Sequence, residues 1–214
     1  ERREEFTASN GWHLDAYEAD LPSEPSGEPL ERGAFNAAVD VLREYRFPPP
    51  DLITGIFVPD GPLEGRVMLL KARFLIFTFY FGVRVNAVID ELREDAQERV
   101  WGYRYATLEG HFERGQIEFL IVKQLATGAV QFRISAFSKT GVIRNPFYKI
   151  GLFGRRLQVR FSQESLKRMQ YLVTEALRTG QRLGSAPPVV SASSEPAAQD
   201  KLEALTQTPS PRQP

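Results

Sequence analysis

The stretch RVMLLKARFLIFTFYFGVRVNAVIDEL, residues 66–92, decides the fold class. Successive side chains of a β-strand point to opposite faces of a sheet, so an alternation with period two predicts strands. One parity holds the apolar residues Leu75, Phe77, Phe79, Phe81, Val83, Val85, Ala87 and Ile89. The other parity holds Thr78, Arg84, Asn86 and Asp90. Because the stretch is too long for one strand, we expect two strands with a break near Gly82 or near Lys71.

Three later segments also predict strands: ERVWGYRYATL (98–108), IEFLIVKQL (117–125) and AVQFRISAFS (129–138). The first places Trp101, Tyr103, Tyr105 and Thr107 on one face. The second is mostly apolar on both parities, so we expect both of its faces to be covered. Short loops that contain glycine separate these strands, which favours an antiparallel meander.

Helical periodicity marks the two ends of the meander. In AFNAAVDVLREYRF (34–47), apolar residues recur at helical spacing, and the following prolines end the helix. Near the C-terminus, Asn145–Pro146 is a start signal, Gly180 is a stop signal, and Gly151 and Gly154 weaken the first turns. Together these elements predict an α+β fold of the helix-grip type, in which a curved antiparallel sheet wraps around the long C-terminal helix. Such an arrangement commonly leaves a cavity between sheet and helix.

The composition predicts one domain over residues 33–180 with an appendage on each side. We expect residues 1–32 to be a flexible N-terminal segment and residues 181–214, rich in Pro, Ser and Ala, to be a disordered tail. Within this tail, only QDKLEALTQ (199–207) has a pattern that could become transiently helical.

Several classes of function are disfavoured by the composition. The formal net charge is zero, so no nucleic-acid partner is expected, and the basic residues of the C-terminal helix are typical of a solvated face. There is no cysteine and there are only two histidines, so neither a metal site nor a cofactor is expected. Arg73 and Arg84 bracket only ten uncharged residues, whereas a membrane-spanning helix needs about twenty. The first residues contain no signal-peptide core, which favours a cytoplasmic location.

The segment WGYRYATLEGHFERGQIEF (101–119) holds the candidate functional residues. His111 could act as an acid or base if Glu113 fixed its tautomer. The alternative is that Gly110 and Gly115 frame a turn in which His111 makes a local hydrogen bond. The aromatic face of the preceding strand could stack on a flat ligand, or it could be ordinary core packing.

The same segment resembles the signature of the domain-of-unknown-function 1990 (DUF1990) family, which reads approximately GFxYGTLPGHPExGEExF. The matching residues are Gly102, Tyr103, Tyr105, Thr107, Leu108, Gly110, His111, Glu113, Gly115 and Phe119. FRISAFS (132–138) and GRRLQVRF (154–161) resemble later parts of the family, so the likeness covers residues 33–178. The chain departs from the pattern at Ala106, Glu109 and Phe112, and at Gln116 and Ile117, which replace paired acids.

The family's fold is similar to that of START-like domains, which bind apolar or aromatic small molecules. This resemblance implies a soluble domain with a hydrophobic or aromatic ligand in the cavity between sheet and helix. The candidate ligand-binding residues are Trp101, Tyr103, Arg104, Tyr105, Thr107 and His111. One alternative is an enzyme, hydrolase or cyclase-like, that uses His111 with Glu113. Another is a membrane-associated or protein-interaction module.

Overall fold

The computed structural model describes residues 13–58, 61–74, 77–108, 113–140 and 151–180, together with residues 200, 202, 204 and 205. The elements in chain order are β1 (His13–Leu21), α1 (Ala34–Arg43), β2 (Ile53–Ile56), β3 (Val67–Phe74), β4 (Phe77–Arg93), β5 (Glu98–Thr107), β6 (Glu113–Gln124), β7 (Val130–Thr140) and α2 (Gly151–Thr179). The strands form a seven-stranded antiparallel sheet in the order β1-β7-β6-β5-β4-β3-β2. The sheet is curved and packs against the long C-terminal helix, so the predicted α+β architecture is confirmed.

The long apolar stretch does fold as two strands. Phe74 at the end of β3 pairs with Phe77 at the start of β4, so the chain reverses between them. The break therefore lies past Lys71 and well before Gly82, which instead pairs with Leu69 inside the ladder. The expected break at Gly82 is wrong because the chain stays extended and paired through that glycine.

A β-bulge at Asn86 interrupts the alternation within β4. Val85 pairs with Tyr105 and Ala87 pairs with Arg104, so Asn86 is an extra residue on its strand. An inserted residue reverses the parity of everything after it. Val83 and Val85 belong to the main core, whereas Ile89 packs on the other face of the sheet. The predicted single apolar face from Leu75 to Ile89 is therefore wrong beyond Val85.

The main core lies between the helices and the facing side of the sheet. Its members include Phe35, Leu42, Phe47, Trp101, Tyr103, Phe119, Phe132, Ile134, Phe161 and Met169. A smaller cluster on the opposite face joins Val100, Leu120 and Val122 with Ile89. Residues on both faces of β6 are therefore buried, as its apolar sequence predicts.

The edge strand β1 corrects the expected flexible segment over residues 1–32. His13–Leu21 pairs along its whole length with β7, and Tyr17 lies opposite Ile134. The strand is hard to recognise because acids and alanines occupy most of it and the apolar Leu14 is exposed, so its alternation is irregular. Main-chain hydrogen bonds to β7 therefore hold this strand in the sheet.

The connection from β1 to α1 is held by a buried ion pair. The Nζ of Lys123 donates to Oε2 of Glu24 at 2.7 Å, and the two side chains are 0% and 2% exposed. The Glu24 carboxylate also accepts hydrogen bonds from the main-chain N–H groups of Leu30 and Phe35, at 3.0 and 2.8 Å. Phe35 lies in the first turn of α1, where N–H groups have no partner within the helix. Gly33 is required beside it, because a Cβ there would collide with the Glu24 carboxylate.

The helices end close to where the sequence predicts. α1 ends at Arg43, and Tyr45 lies beyond it in the left-handed region with φ of 54°. Tyr45 is therefore part of the turn and not of the helix. α2 ends at Thr179, and Gly180 follows with φ of 65°, a conformation that glycine adopts without strain. The predicted start signal at Asn145–Pro146 lies outside the described residues. Within the described part of the chain, no helix combines the length and apolar character needed to cross a bilayer.

Part of the predicted tail packs on the outer face of the sheet. Asp200, Leu202, Ala204 and Leu205 are helical, and Leu202 is only 4% exposed. Leu202 clusters with Ile56 of β2 and Leu69 of β3, and Leu205 lies over Gly82 of β4. The expectation of a disordered tail is therefore wrong at these residues, because an apolar patch of the sheet buries their leucines. The other tail residues lie outside the described part of the chain.

We expect Lys123→Met to lower the free energy of unfolding by about 3–5 kcal/mol, because it leaves the Glu24 carboxylate buried without its cation. Urea denaturation followed by circular dichroism measures this. Lys167→Met is the matched control, since Lys167 pairs with Glu164 while its side chain is 72% exposed, and it should change stability by less than about 0.5 kcal/mol. Equal effects of the two substitutions would contradict the structural role of the buried pair.

We expect Leu202→Asp to release the C-terminal segment from the outer face, because a carboxylate cannot be buried against Ile56 and Leu69 without a partner. Methyl NMR resonances of Ile56 and Leu69 should shift, while resonances of the main core stay in place. Ala204→Asp, at an exposed position of the same segment, is the control and should leave both methyl signals unchanged. Unshifted Ile56 and Leu69 signals in Leu202→Asp would show that the segment does not cover them in solution.

Candidate functional site

A cavity of about 130 Å³ lies between the sheet and the N-terminal half of α2. Every strand contributes to its wall, since the curved sheet bends around it. The apolar lining consists of Ile53, Leu70, Phe81, Val83, Ile117, Ala136, Phe137, Leu157 and Phe161. A cavity with this lining favours an apolar occupant over water.

A few polar side chains interrupt the apolar wall. They are Asp15, Tyr17, Tyr105, Thr107, Gln116, Gln158 and Ser162. Thr107 is already engaged, because its Oγ1 accepts a hydrogen bond from the main-chain N–H of Gly115 at 3.3 Å. A mostly apolar pocket with a small number of polar groups is the usual composition of a small-molecule site.

Tyr105 is the lining residue that connects the cavity to the core behind it. Its hydroxyl lies 3.4 Å from the hydroxyl of Tyr45, which lies in the turn after α1. Phe119 packs against the Tyr105 ring at a centroid distance of 5.5 Å, and the Tyr45 ring meets Phe47 edge-on at 5.1 Å. The position of the Tyr105 side chain is therefore determined by core packing.

Three buried phenols lie near one another in this region. Burial raises the pKa of Tyr105 to about 12, although its hydrogen bond with Tyr45 acts in the opposite direction. Burial likewise raises the pKa values of Tyr45 and Tyr103 well above 10, and the neighbouring Tyr105 adds to both shifts. All three hydroxyls therefore stay protonated across the physiological pH range.

Trp101 and Tyr103 share a face with Tyr105 but belong to the core instead of the cavity wall. The Tyr103 hydroxyl donates to the main-chain carbonyl of Leu42 at 3.3 Å, which anchors β5 to α1. Trp101 lies under the guanidinium of Arg43, 5.0 Å from the ring centroid. Both aromatic rings therefore support the site from a distance, as the core-packing interpretation of this strand predicts.

Arg104 lies on the opposite face of the sheet. Its Nε is 3.2 Å from a carboxylate oxygen of Glu118 on the neighbouring strand. Because side chains alternate between the faces of a strand, Arg104 does not line the cavity and cannot contact a molecule inside it. The prediction of Arg104 as a ligand-binding residue is therefore wrong, because its side chain lies on the face of the sheet opposite the cavity.

The acid–base hypothesis depends on residues at the edge of the described structure. His111 lies outside the described residues, and the structure describes only the main chain of Glu113, at the start of β6. A catalytic pair of His111 and Glu113 therefore stays a prediction. Among the described residues, no group of three or more acidic or histidine side chains could hold a metal ion.

Sequence reasoning missed most of the polar lining. Asp15 and Tyr17 come from the unrecognised strand β1, whose pattern gave no usable signal, because charged Asp15 lines the cavity while apolar Leu14 is exposed. Gln158 and Ser162 lie four residues apart on α2, beside Leu157 and Phe161. That spacing places them on one helix face, next to Leu157 and Phe161, so the helical periodicity of this segment could have indicated them.

The fold and the cavity together define a class of protein. A curved seven-stranded antiparallel sheet around a long C-terminal helix is the helix-grip, START-like arrangement. Within this class, the chain belongs to the family described as "Domain of unknown function (DUF1990)", whose model matches residues 2–168. The match confirms the resemblance and begins well before residue 33, consistent with β1 being part of the sheet.

Several solved structures are similar to this chain at low sequence identity. A hypothetical protein from Helicobacter pylori superposes with a TM-score of 0.50 at 13% identity, covering 80% of this chain and 94% of that one. A protein from Thermus thermophilus reaches 0.49 at 14% identity, with 77% and 99% covered. The Zhui aromatase/cyclase from a Streptomyces strain reaches 0.47 at 16% identity, with 81% and 100% covered. No curated protein sequence matches the chain.

The raised pKa of Tyr105 predicts that the protein loses stability at alkaline pH. An unfolded phenol ionises near pH 10, whereas the folded protein holds the Tyr105 proton up to about pH 12. This contribution to stability is complete below pH 10 and is lost as the pH rises towards 12, by about 3 kcal/mol in all. We expect the unfolding free energy of Tyr105→Phe to fall less steeply over this range than that of the wild type.

Urea denaturation at a series of pH values makes this comparison. Tyr171→Phe is the control, because Tyr171 is exposed, and its pH dependence should follow the wild type. Parallel curves for Tyr105→Phe and wild type would contradict the raised pKa of Tyr105.

Proposed function

We propose that this domain binds a small apolar or aromatic molecule in the cavity between the sheet and α2. The observation that carries the proposal is the cavity itself, with an apolar wall and a few polar groups. Its volume is close to the roughly 150 Å³ of an engineered apolar cavity that takes up benzene. An occupant of that size gains dispersion contacts with the apolar part of the wall.

The wall is built so that the cavity persists without an occupant. Phe161 of α2 lines it and packs edge-on against Phe47 and Phe119, with centroids 6.3 and 6.5 Å away. These two rings are themselves fully buried, at a centroid distance of 4.8 Å from each other. Because close-packed aromatic residues resist collapse, the helix is held away from the sheet at this point. A preformed site binds without a large cost of reorganisation.

The polar groups of the wall would select among apolar molecules. Asp15 and Tyr17 enter from β1, Gln158 and Ser162 from α2, and Tyr105 and Thr107 from β5. Their positions on three different elements surround the cavity, so an asymmetric ligand would be held in one orientation. Two of these residues, Tyr105 and Thr107, are among those that the sequence suggests as ligand contacts.

Filling the cavity tests the proposal. We expect wild-type protein to bind toluene and indole, measured by saturation-transfer NMR and by a rise in the thermal midpoint with probe concentration. Ala136→Leu places a larger side chain in the wall and should weaken binding of both probes by at least about tenfold, since it removes the space that they occupy.

Ser135→Leu makes a similar enlargement one residue away on β7, on the exposed opposite face, and should bind like wild type. Circular dichroism verifies that both variants are folded. The proposal fails if wild-type protein binds neither probe, or if Ala136→Leu and Ser135→Leu bind equally well.

A further inference from the structure

We infer that the molecule in the cavity carries a neutral hydrogen-bond-accepting oxygen, such as a ketone carbonyl, and that the Tyr105 hydroxyl donates to it. This inference rests on the proposed function and names the chemical class of the ligand. It follows from counting the hydrogens and acceptors of two neighbouring phenols, Tyr105 in the cavity wall and Tyr45 behind it.

The Tyr45 and Tyr105 hydroxyls carry two hydrogens, and their contact uses only one of them. Either hydroxyl can be the donor across the 3.4 Å separation. Among the described residues, neither hydroxyl has any other hydrogen-bond partner. Whichever phenol donates, one O–H is left without an acceptor in a region from which water is largely excluded. A buried hydroxyl in that condition is costly, so the arrangement favours an acceptor supplied from outside the chain.

Only one of the two phenols faces the cavity. Tyr105 lines it and is 8% exposed, whereas Tyr45 is buried behind it, with its ring against Phe47 and close to Gly55. Tyr45 therefore donates to Tyr105, and Tyr105 directs its own hydrogen into the cavity. The 3.4 Å contact is long for two hydroxyls, so an acceptor in the cavity does not compete with a strong internal bond.

The surroundings select a neutral acceptor over an anion. Asp15 lines the same cavity, and a ligand carboxylate beside it would meet a like charge. Most of the wall is apolar, which penalises any buried charge that lacks a counterion. Since Tyr105 stays protonated at physiological pH, it offers a hydrogen-bond donor without a charge of its own. A carbonyl on an otherwise apolar molecule meets these three conditions.

A pair of probes with matched shape separates this hydrogen bond from apolar burial. Acetophenone and α-methylstyrene differ in that a C=O replaces a C=CH₂ group. We expect Tyr105→Phe to weaken acetophenone binding by about five- to tenfold, because it removes one hydrogen bond, and to leave α-methylstyrene binding within about twofold. Tyr103→Phe is the matched control, since its hydroxyl donates to Leu42 and does not line the cavity, and it should keep the wild-type ratio of the two affinities.

An infrared measurement on the bound probe gives a signature that packing alone would not produce. With carbonyl-labelled acetophenone, the C=O stretch should lie at lower frequency in wild-type protein than in Tyr105→Phe. Equal weakening of both probes by Tyr105→Phe, or an unchanged stretch, would overturn the inference.

The experiments distinguish failure of the proposed binding function from failure of this inference. If toluene and indole bind but Tyr105→Phe does not discriminate between the matched probes, the cavity is a binding site and the assignment of the oxygen acceptor is wrong. If none of the four probes binds to wild-type protein, both the binding function and the inference fail.

Discussion

The Glu24–Lys123 ion pair is the constraint on which the arrangement of helix and sheet depends. The Glu24 carboxylate accepts hydrogen bonds from the Lys123 ammonium of β6 and from the main-chain N–H of Phe35 in the first turn of α1, so it determines where that helix meets the sheet. Because both charges are removed from water, neither tolerates the loss of the other. The position of α1 in turn places the turn that carries Tyr45 and Phe47 behind the cavity. A contact between residues 99 positions apart thus sets the geometry of the candidate site.

The sequence predicted the parts of the fold whose side chains carry a strong period. Strands β4, β5 and β7 alternate bulky apolar residues, β6 is apolar on both parities, and α2 has helical periodicity that ends at a glycine, so these elements were recognised. The strand β1 was not, because its membership depends on main-chain pairing with β7. The bulge at Asn86 was also missed, since an inserted residue leaves no compositional trace. Tertiary pairing decides both features.

The candidate site was predictable only where one strand supplies it. Tyr105 and Thr107 follow from the parity of β5, and the structure places both at the cavity. Parity alone did not separate them from Trp101 and Tyr103, which lie on the same face of β5. One end of that face packs against α1 and the other lines the cavity, and the sequence pattern is the same at both ends. The helical pattern predicted over residues 34–47 includes Tyr45, but in the structure Tyr45 follows α1 with a left-handed backbone and its hydroxyl contacts Tyr105. Contacts between distant elements carry no local signature.

The bulge in β4 allows the number of residues at one position to vary as freely as their identity. Asn86 is exposed and has no opposite partner in β5, so many side chains would fit there. Losing the residue altogether would leave Val85 opposite Tyr105 and Ala87 opposite Arg104 in a regular ladder, so Val88 and Ile89 would keep their present faces. Homologous chains would therefore be expected to vary at this point both in the residue and in its presence. A sequence comparison that penalises a gap here would overstate the structural difference between such chains.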